Sequence, residues 1–595
     1  MPDSARRPEN PKRGEHAMAT TEKLLTGEVS TMEGVVRVLE DAGIDMVFGI
    51  VGGNMGSLYD VLYDHKDTIR TVLVRHEQLA SVMAEVYGRL TGKPGVAVGQ
   101  GAFVLANALL GTLEAQMGSS PMLLLTELSD QSPLSQHAPY QGGTGEYGNF
   151  DMKNALAAVT KYTTAVTAPA QAVHAVQLAI KHALTGERGP VGVVFHSAAL
   201  RGNVGPDSRP AIYPMRHYLP ARTGAPTVAT NDAAKALAAA SRPVILAGNG
   251  VRIAHAYDAL LRLASAVAAP VATTASGKSV FPETHELALG VFGNFGQAAA
   301  NAWIGEADVV LAVGTKLGPT DTAMEHPKLI DPTRQTLIQI DVEPRNAGWS
   351  FPVSHALIGD AAIVLDELAD AVRASNAPSA AALAARRQGI SVHKVEHGCF
   401  ADPSYASDET PIMPQRLFAE LQRTMADDAF IACDAGENRL FMTHYFQTKS
   451  AGTLIMPGIG AMGYAIPAAL AAKLVYPQRQ VIAVTGDGGF GMGMNGLMTA
   501  LDENIPIVVV VLNNSALGWV MHGQGNRVIA SQFTDMNFAE VARAMGCNGV
   551  RVESPKALAG ALTEALRSNR PTVVDVVTSL KPTFRDVTTP LLMRR

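Results

Sequence analysis

The amino-acid sequence predicts an α/β protein made of three doubly wound parallel-sheet domains. Short β-branched runs alternate with longer Ala/Leu-rich helical patterns along the whole chain, which is typical of parallel sheets with helices on both faces. The chain has 595 residues, 47% of them apolar and 17% charged, which is enough apolar material for several cores. Its 55 glycines and 34 prolines are dispersed, as in an α/β enzyme with many tight loops.

The strand candidates fall into three groups, which predict domains at residues 28–200, 224–375 and 412–580. Residues 1–27, with charge and proline but no apolar core, predict a disordered extension, and residues 581–595 a short C-terminal tail. The predicted strands are Asp45–Ile50, Thr71–Val74, Gly95–Val98, Met122–Thr126, Val191–Phe195, Pro243–Ala247, Asp308–Val313, Thr336–Asp341, Phe430–Cys433, Gln480–Thr485, Pro506–Leu512 and Thr572–Val577.

Charge and cysteine usage exclude several classes of protein. The net charge of −6, without a long basic run, argues against nucleic-acid binding and a polybasic membrane anchor. The three cysteines form no CxxC pair, which argues against a disulfide framework or a cysteine zinc site. No apolar stretch approaches the ~20 residues that span a bilayer. We therefore expect a cytoplasmic protein with neither a nucleic-acid nor a membrane partner.

The most informative segment contains two motifs at the ends of buried strands. One strand ends in Gly486-Asp487-Gly488-Gly489, a helical pattern follows, and the next strand ends at Asn513-Asn514. Parallel neighbours bring Asp487 and Asn514 to one carboxyl edge, where α/β proteins bind ligands. Glycines let backbone N–H groups approach an anion, and carboxylate and amide oxygens suit Mg²⁺ or Ca²⁺. The segment therefore predicts a diphosphate held through a divalent ion.

This GDG–NN pattern resembles the cofactor signature of thiamine-diphosphate enzymes, in the branch with acetohydroxyacid synthase, benzaldehyde lyase, 2-hydroxyacyl-CoA lyase and pyruvate oxidase. The resemblance covers residues 28–580. It implies thiamine diphosphate and Mg²⁺ as cofactors. The implied metal ligands are Asp487, Asn514 and the backbone carbonyl of Ala516, and the implied diphosphate contacts in this segment are Gly486, Gly488 and Gly489.

Glu77 follows a first-domain strand candidate and begins a helical run in Arg75-His76-Glu77-Gln78. The segment resembles "RHEQ…AEGYAR…G" of acetohydroxyacid synthases, which implies that Glu77 is the catalytic glutamate. In that family the glutamate hydrogen-bonds to N1′ of the aminopyrimidine and promotes removal of the thiazolium C2 proton. Its donor role requires burial that raises its pKa. Taken alone, a glutamate in the first turn of a helix is also explained without a catalytic role, because its negative charge interacts favourably with the helix dipole.

Two other segments resemble parts of the family's cofactor clamp. In a Gly-rich turn before a helix, the resemblance implies that Met462 wedges the cofactor into its bent shape. The carbonyl of Gly460 then accepts a hydrogen bond from the 4′-amino group. Gly436 and Asn438 stand in a segment that matches "GQH" of the synthases and are implied diphosphate contacts. Glu437 between them needs a neutralising partner, because it is a carboxylate beside a diphosphate.

The substrate pocket is predicted to be lined by Gly53, Gln100, Phe103 and Trp519. Gly53 leaves room where decarboxylating relatives can carry a serine, and Phe103 forms an apolar wall. Gly148 and Gly523 depart from the synthases, which have a pocket glutamine and an acceptor-site tryptophan at these places. Three residues are candidate proton shuttles: His137, Tyr140 and His522.

The middle domain carries Gly248-Asn249-Gly250 and Gly293-Asn294-Phe295-Gly296 as candidate nucleotide contacts. A bare GxG is weak evidence for a nucleotide site, so FAD or ADP stays unassigned there. The lack of a full GxGxxG argues against a nicotinamide dehydrogenase.

The resemblance implies an enzyme that makes or breaks a C–C bond next to a carbonyl group of a small-molecule substrate. The first choice is an acetolactate-synthase-like carboligase acting on 2-oxo acids. The missing synthase pocket residues keep a 2-hydroxyacyl-CoA or 2-hydroxyketone lyase open. A non-catalytic nucleotide-binding regulatory subunit is the alternative from another class, and Glu77 argues against it. The resemblance also implies a homodimer or homotetramer, with the cofactor between the first domain of one subunit and the third of another.

Overall fold

The computed structural model of the chain describes residues 22–130, 141–375 and 377–592. It confirms the predicted fold class, because it contains three six-stranded parallel sheets, each flanked by helices. Most of the predicted N-terminal extension, together with His137 and Tyr140, lies outside the described residues. No helix of the described ranges is both long and apolar enough to cross a membrane.

The first sheet has the strand order β3-β2-β4-β5-β7-β6, and β1 and β8 form a separate antiparallel pair beside it. The strands are β1 (Val29–Ser30), β2 (Met46–Gly49), β3 (Arg70–Leu73), β4 (Gly95–Val98), β5 (Met122–Glu127), β6 (Tyr162–Val166), β7 (Pro190–Phe195) and β8 (Asn203–Val204). The helices are α1 (Thr31–Asp41), α2 (Gly56–Asp64), α3 (Glu77–Thr91), α4 (Gly101–Asn107), α5 (Leu109–Gly118), α6 (Met152–Ala157), α7 (Pro169–Leu184) and α8 (Ser197–Leu200).

The middle sheet has the order β11-β10-β9-β12-β13-β14, in which the chain winds outward from the centre in both directions. Its strands are β9 (Pro243–Ala247), β10 (Val271–Thr273), β11 (Ala288–Val291), β12 (Val309–Val313), β13 (Thr336–Asp341) and β14 (His355–Ile358). Its helices are α9 (Thr227–Ala239), α10 (Asn249–Ile253), α11 (Tyr257–Val267), α12 (Ala298–Glu306), α13 (Ala361–Ser375) and α14 (Ala380–Glu396).

The third sheet has the order β16-β15-β17-β18-β20-β19, which is the topology of the first sheet repeated. Its strands are β15 (Phe430–Cys433), β16 (Leu454–Ile455), β17 (Val481–Gly486), β18 (Val508–Asn513), β19 (Asn548–Val552) and β20 (Thr572–Val577). Its helices are α15 (Pro414–Thr424), α16 (Glu437–Tyr445), α17 (Ala465–Val475), α18 (Asp487–Gly493), α19 (Gly496–Asp502), α20 (Gly518–Gln524), α21 (Phe538–Ala544) and α22 (Pro555–Arg567).

The first and third sheets share one apolar core. Helix α3 packs on α17, and buried side chains of both domains join in a single cluster. A polar network crosses this contact: Tyr464 donates to Glu85 at 3.0 Å, and Glu85 accepts from Arg89 at 2.7 Å. All three side chains are almost completely buried, so the network depends on its internal hydrogen bonds. These contacts hold the two domains of one chain against each other.

Both ends of the described chain pack against the domains. Leu25, inside the predicted extension, is buried, and the neighbouring Leu24 N–H donates to the carbonyl of Ile212 at 2.8 Å. In the C-terminal tail, the N–H of Thr589 donates to the carbonyl of Asn294 at 2.7 Å. The tail therefore runs from the third domain onto the middle one.

Candidate functional site

The three residues predicted as metal ligands, Asp487, Asn514 and Ala516, lie together at the carboxyl edge of the third sheet. Strands β17 and β18 are parallel neighbours, with Gly486 paired to Leu512, so both strands end at the same level. The backbone N–H of Asn514 donates to Oδ2 of Asp487 at 3.2 Å, and the N–H of Ala516 donates to the same oxygen at 3.2 Å. The carboxylate thus organises the backbone of the segment that carries the predicted amide ligand.

Asp487 is a buried carboxyl group that lacks a cationic side-chain partner in the described part of the chain. Burial raises its pKa, while hydrogen bonds from the N–H groups of Gly488 and Ala516 lower it. Only 6% of the residue is exposed. Since a buried carboxylate is costly unless its charge is compensated, a divalent cation fits this position.

A cavity of about 220 Å³ opens directly above these groups. It brings together every cofactor residue predicted in the third domain: Gly436, Asn438, Gly460, Met462, Gly486, Asp487, Gly488, Gly489, Asn514 and Ala516. Trp519 lines it as well. The lining also contains a cation that the sequence did not single out, Arg439, whose pKa is lowered by burial.

Three glycines of the cavity lie so close to neighbouring side chains that a Cβ would force these side chains to shift. A Cβ on Gly488 would lie 2.8 Å from the Cε methyl of Met462, and one on Gly486 would lie 2.7 Å from Nδ2 of Asn438. At Gly489 it would lie 2.5 Å from a carboxylate oxygen of Asp434. The backbone of this turn therefore packs directly against the predicted clamp residues.

Asp434 is a structural residue of the site that sequence reasoning missed. It lies just after β15, is 1% exposed, and accepts hydrogen bonds from Thr485 Oγ1 at 2.8 Å and from the Gly463 N–H at 3.1 Å. Burial raises its pKa. It joins the end of β17 to the turn that carries Met462, and its place directly after a predicted buried strand was the available signal.

Glu114 holds the same turn from the first domain. Its Oε2 accepts hydrogen bonds from the backbone N–H groups of Gly458 and Ile459, the latter at 3.2 Å, just before Gly460. Burial raises its pKa to about 7. A single acidic residue in the apolar helix α5 was the available sequence signal.

Glu114→Gln is expected to flatten the pH dependence of stability. The folded-state pKa of Glu114 is raised above its ordinary value of 4.5, so the folded chain binds the extra proton more tightly. Its contribution is therefore complete below about pH 4.5 and is lost as the pH rises toward 7. Between pH 5 and pH 8, the free energy of unfolding should therefore fall less in the variant than in wild type, and the two decreases should differ by on the order of 2 kcal/mol.

Chemical denaturation at pH 5 and pH 8 measures this difference, with the exposed Glu564→Gln as the control. Parallel pH profiles for Glu114→Gln and wild type would contradict the prediction.

Glu77 begins helix α3 and is buried in the first domain. Its Oε2 accepts a hydrogen bond from Nδ2 of Asn107 at 2.8 Å, and the preceding His76 caps the helix by accepting from the Gln78 N–H at 3.2 Å. All described residues that line the third-domain cavity lie between Ala435 and Val520, so Glu77 is not among them. One chain alone therefore does not place Glu77 in the lining of that cavity.

The predicted substrate-pocket residues are divided between two places. Trp519 lines the third-domain cavity, where its ring meets Phe295 edge-on at 5.8 Å. The other three lie in the first domain: Gly53 begins a short 3₁₀ turn, Gln100 precedes α4 and Phe103 lies within α4. In the single chain, the side chain of Gln100 lies beside Gly53. A Cβ there would lie 3.0 Å from Cγ of Gln100, because this side chain fills the space. Phe103 is 40% exposed.

His522 supplies the partner that Glu437 needed. Nδ1 of His522 lies 2.8 Å from Oε1 of Glu437, and Nε2 lies 3.1 Å from the carbonyl of Leu580. The backbone N–H of Phe584 donates to the same Glu437 oxygen at 2.8 Å. Burial raises the pKa of Glu437 and the hydrogen bond from His522 lowers it. With both nitrogens engaged, His522 holds the C-terminal tail beside the cavity.

A second cavity, of about 510 Å³, lies at the middle domain. Asn249 and Gly250 of the predicted glycine loop line it, together with Asp341 at the end of β13 and with Arg222. The other predicted segment, residues 293–296, does not contribute to the lining.

Three sequence profiles match consecutive parts of the chain. Residues 29–145 match the family described as thiamine pyrophosphate enzyme, N-terminal TPP binding domain. Residues 230–368 match its central domain, and residues 434–576 match its C-terminal TPP binding domain.

Three relatives are similar to the chain over about nine-tenths of its length. The chain is 32% identical to the probable acetolactate synthase large subunit of Methanocaldococcus jannaschii, over 92% of this chain and 91% of the relative. It is 31% identical to the acetolactate synthase isozyme 3 large subunit of Escherichia coli, over 92% and 94%. Identity to the acetolactate synthase large subunit of Corynebacterium glutamicum is 30%, over 91% and 86%.

Proposed function

The chain belongs to the thiamine pyrophosphate enzyme family, and on this premise we propose that it is an Mg²⁺-dependent carboligase of the acetolactate-synthase type, acting on 2-oxo acids. The observation that carries the proposal is the third-domain cavity, where the predicted clamp and metal residues converge on an uncompensated carboxylate. Similarity over the whole chain to three acetolactate synthase large subunits supports the choice of reaction.

The groups in the cavity suit a diphosphate with its cation. Asp487 and Asn514 would hold Mg²⁺ through their side-chain oxygens, and the backbone at Gly488 would approach the diphosphate oxygens. Arg439 adds a positive charge to the same lining. The apolar side chain of Met462, which contacts the Gly488 position, would support the middle of the cofactor.

The bound cofactor would supply a carbon nucleophile that adds to a carbonyl group and stabilises the negative charge left after bond cleavage. Glu77 would hold a proton at N1′ of the aminopyrimidine, in a hydrogen bond that requires the protonated carboxyl group. Asn107 fixes the orientation of that carboxyl by donating to Oε2 at 2.8 Å. Burial of Glu77 at the start of α3 keeps bulk water from competing for this proton.

We also propose a homodimer or homotetramer in which the first domain of one subunit completes the cavity of another. Apolar side chains next to the Asp487 motif are exposed in the single chain: Met492 is 55% exposed, Met494 37% and Met498 38%. Such a cluster of exposed apolar side chains is typical of an interface. The absence of Glu77 from the cavity lining within one chain supports the same assembly.

A 2-hydroxyacyl-CoA or 2-hydroxyketone lyase is the second candidate. Gly523 stands where synthases place an acceptor-site tryptophan, and a Cβ added there would meet no atom within 4 Å. An acceptor site without that tryptophan would admit a substrate larger than a short 2-oxo acid.

Neither FAD nor ADP is assigned as the ligand of the middle-domain cavity. Its Asp341, Asp360, Arg222 and Lys316 offer partners for ribose hydroxyls and phosphates. These groups do not discriminate between the two nucleotides.

Pyruvate consumption with thiamine diphosphate and Mg²⁺ tests the proposed reaction. We expect two pyruvates to give one CO₂ and one C5 2-hydroxy-2-methyl-3-oxo acid, and we expect Glu77→Gln to remove this turnover. Bound cofactor without pyruvate consumption, but with cleavage of 2-hydroxyacyl-CoA or a hydroxyketone, would select the lyase. Failure to bind the cofactor and to turn over any of these substrates would leave a non-catalytic regulatory subunit.

A further inference from the structure

A group of metal-ligand side chains lies at the C-terminal end of α14, outside both cavities described above. His393, Glu396 and His397 follow one another at i, i+3 and i+4, a spacing that places all three on one face of the helix end. One ligand atom from each residue lies within 4.8 Å of the others. We call these three residues the His393 cluster.

Both imidazoles are oriented by backbone carbonyl groups. Nε2 of His393 lies 2.8 Å from the carbonyl oxygen of Ala299, and Nδ1 of His397 lies 3.0 Å from the carbonyl oxygen of His393. A carbonyl oxygen only accepts, so the nitrogen facing it carries the hydrogen. In the neutral rings, Nδ1 of His393 and Nε2 of His397 then keep their lone pairs. Metal-binding histidines show this arrangement, in which the second ring nitrogen donates to a carbonyl or carboxylate.

The neighbourhood holds the buried ring of the cluster in place. The His393 ring meets Trp303 edge-on at 5.1 Å, and its centroid lies 4.1 Å from that of His397. The nearby guanidinium of Arg242 lies over the Trp303 ring at 3.8 Å and pairs with Glu306 at 2.8 Å. The Glu306 carboxylate thus offsets part of the positive charge that Arg242 places near His393.

We propose that the His393 cluster is a zinc site, with the two imidazoles and the Glu396 carboxylate as ligands and water in the fourth position. Imidazole and carboxylate donors favour Zn²⁺ and other late first-row ions, whereas Mg²⁺ prefers oxygen ligands alone. Zn–N distances of about 2.0–2.1 Å in a tetrahedral site require the ligand atoms to come within about 3.3–3.5 Å of one another, closer than the 4.8 Å that bounds their present separations. Glu396 and His397 are exposed, and His397 would make this adjustment while it keeps its Nδ1 contact with the carbonyl oxygen of His393.

The position of the cluster assigns the ion a structural role. His393 contacts α12 through Ala299, and the chain leaves α14 at His397 toward the third domain. An ion bound by both histidines and Glu396 would join the last turn of α14 to the residue that follows it. It would thus stabilise the exit from the middle domain, at a place that takes no part in the proposed reaction.

Zinc titration of the full-length protein tests the site, with saturating thiamine diphosphate and excess Mg²⁺ present to occupy the carboxylate site at Asp487. We expect one Zn²⁺ per chain and a rise in melting temperature on binding. His397→Ala, at an exposed position, should weaken Zn²⁺ binding at least about 100-fold and remove the thermal shift. His217→Ala, which changes another exposed histidine, should leave both unchanged.

Zinc binding that is the same in wild type and His397→Ala would overturn the proposal, as would a lack of binding to wild type. An equal loss in His217→Ala would show nonspecific binding and would overturn it as well. Co²⁺ substitution gives a second readout, since two nitrogen ligands produce visible d–d absorption that should disappear in His397→Ala. Neither readout depends on catalytic activity, so failure of the zinc site and failure of the proposed carboligase function are distinguishable.

Discussion

Glu77→Gln should lower kcat by about 10²–10⁴-fold on any substrate that the wild type accepts, while the cofactor and Mg²⁺ still bind. Glutamine keeps the size of the side chain and its oxygen can still accept from Asn107 Nδ2, so the fold should be retained. It cannot exchange a proton at the aminopyrimidine N1′, which is the role proposed for this residue. Steady-state kinetics combined with cofactor titration separates the loss of rate from a loss of binding.

Glu540→Gln is the matched control, because Glu540 also lies in the first turn of a helix, α21, but at the exposed surface. If Glu77 served only to compensate the dipole of α3, both substitutions would cost about 0.3–1 kcal/mol of stability and leave kcat unchanged. Full activity in Glu77→Gln would therefore reject the catalytic role and leave the dipole interpretation.

Asp487→Ala is expected to weaken cofactor binding at least about 100-fold, because it removes the only carboxylate among the proposed metal ligands. It also removes the acceptor for the N–H groups of Gly488, Asn514 and Ala516. The milder Asp487→Asn keeps one of the two acceptor oxygens and removes the charge, so it disturbs the backbone contacts less than alanine does. Titration of Trp519 fluorescence measures binding, since this side chain lines the cavity.

The exposed Asp258→Ala, in the first turn of α11, should bind like wild type and serves as the control. Wild-type affinity in Asp487→Asn at limiting Mg²⁺ would reject the metal assignment.

Co-expression of the two inactive variants shows whether the sites are shared between subunits. In a mixed dimer of Glu77→Gln and Asp487→Ala chains, a shared site combines one intact first domain with one intact third domain. Random pairing would then restore about a quarter of the wild-type activity. If each chain contained its whole site, every site would carry one of the two substitutions, and the mixture would remain inactive.

The central strands were predictable because a short apolar run of sequence is enough to indicate a buried strand. The bounds of β4, β9 and β20 agree with the prediction, and each is a mainly apolar run buried on both faces. The missed strands are short or lie at sheet edges. Strand β6 is an edge strand of mainly half-buried residues, and β16 has two residues. Such strands lack the continuous apolar run on which sequence reasoning depends.

The residues at the carboxyl edge of the third sheet were predictable for a similar reason. Asp487 and Asn514 each follow a buried strand directly, and adjacent parallel strands end at the same edge. The order of strands and motifs along the chain was therefore sufficient to predict that these side chains lie close together.

Contacts between distant segments were decided by the tertiary structure. Glu114 reaches the turn before Gly460 across 345 positions of the chain, and His522 reaches Glu437 across 85. The sequence by itself determined the sheets and the groups at their ends, since burial and strand direction are local properties. It did not determine which side chain lies beside Gly53 or which carboxyl group binds the turn before Gly460. Those outcomes depend on packing between segments that are distant in the chain: the pairing of β2 with β4 brings Gln100 beside Gly53, and the contact between the first and third domains brings Glu114 to the turn before Gly460.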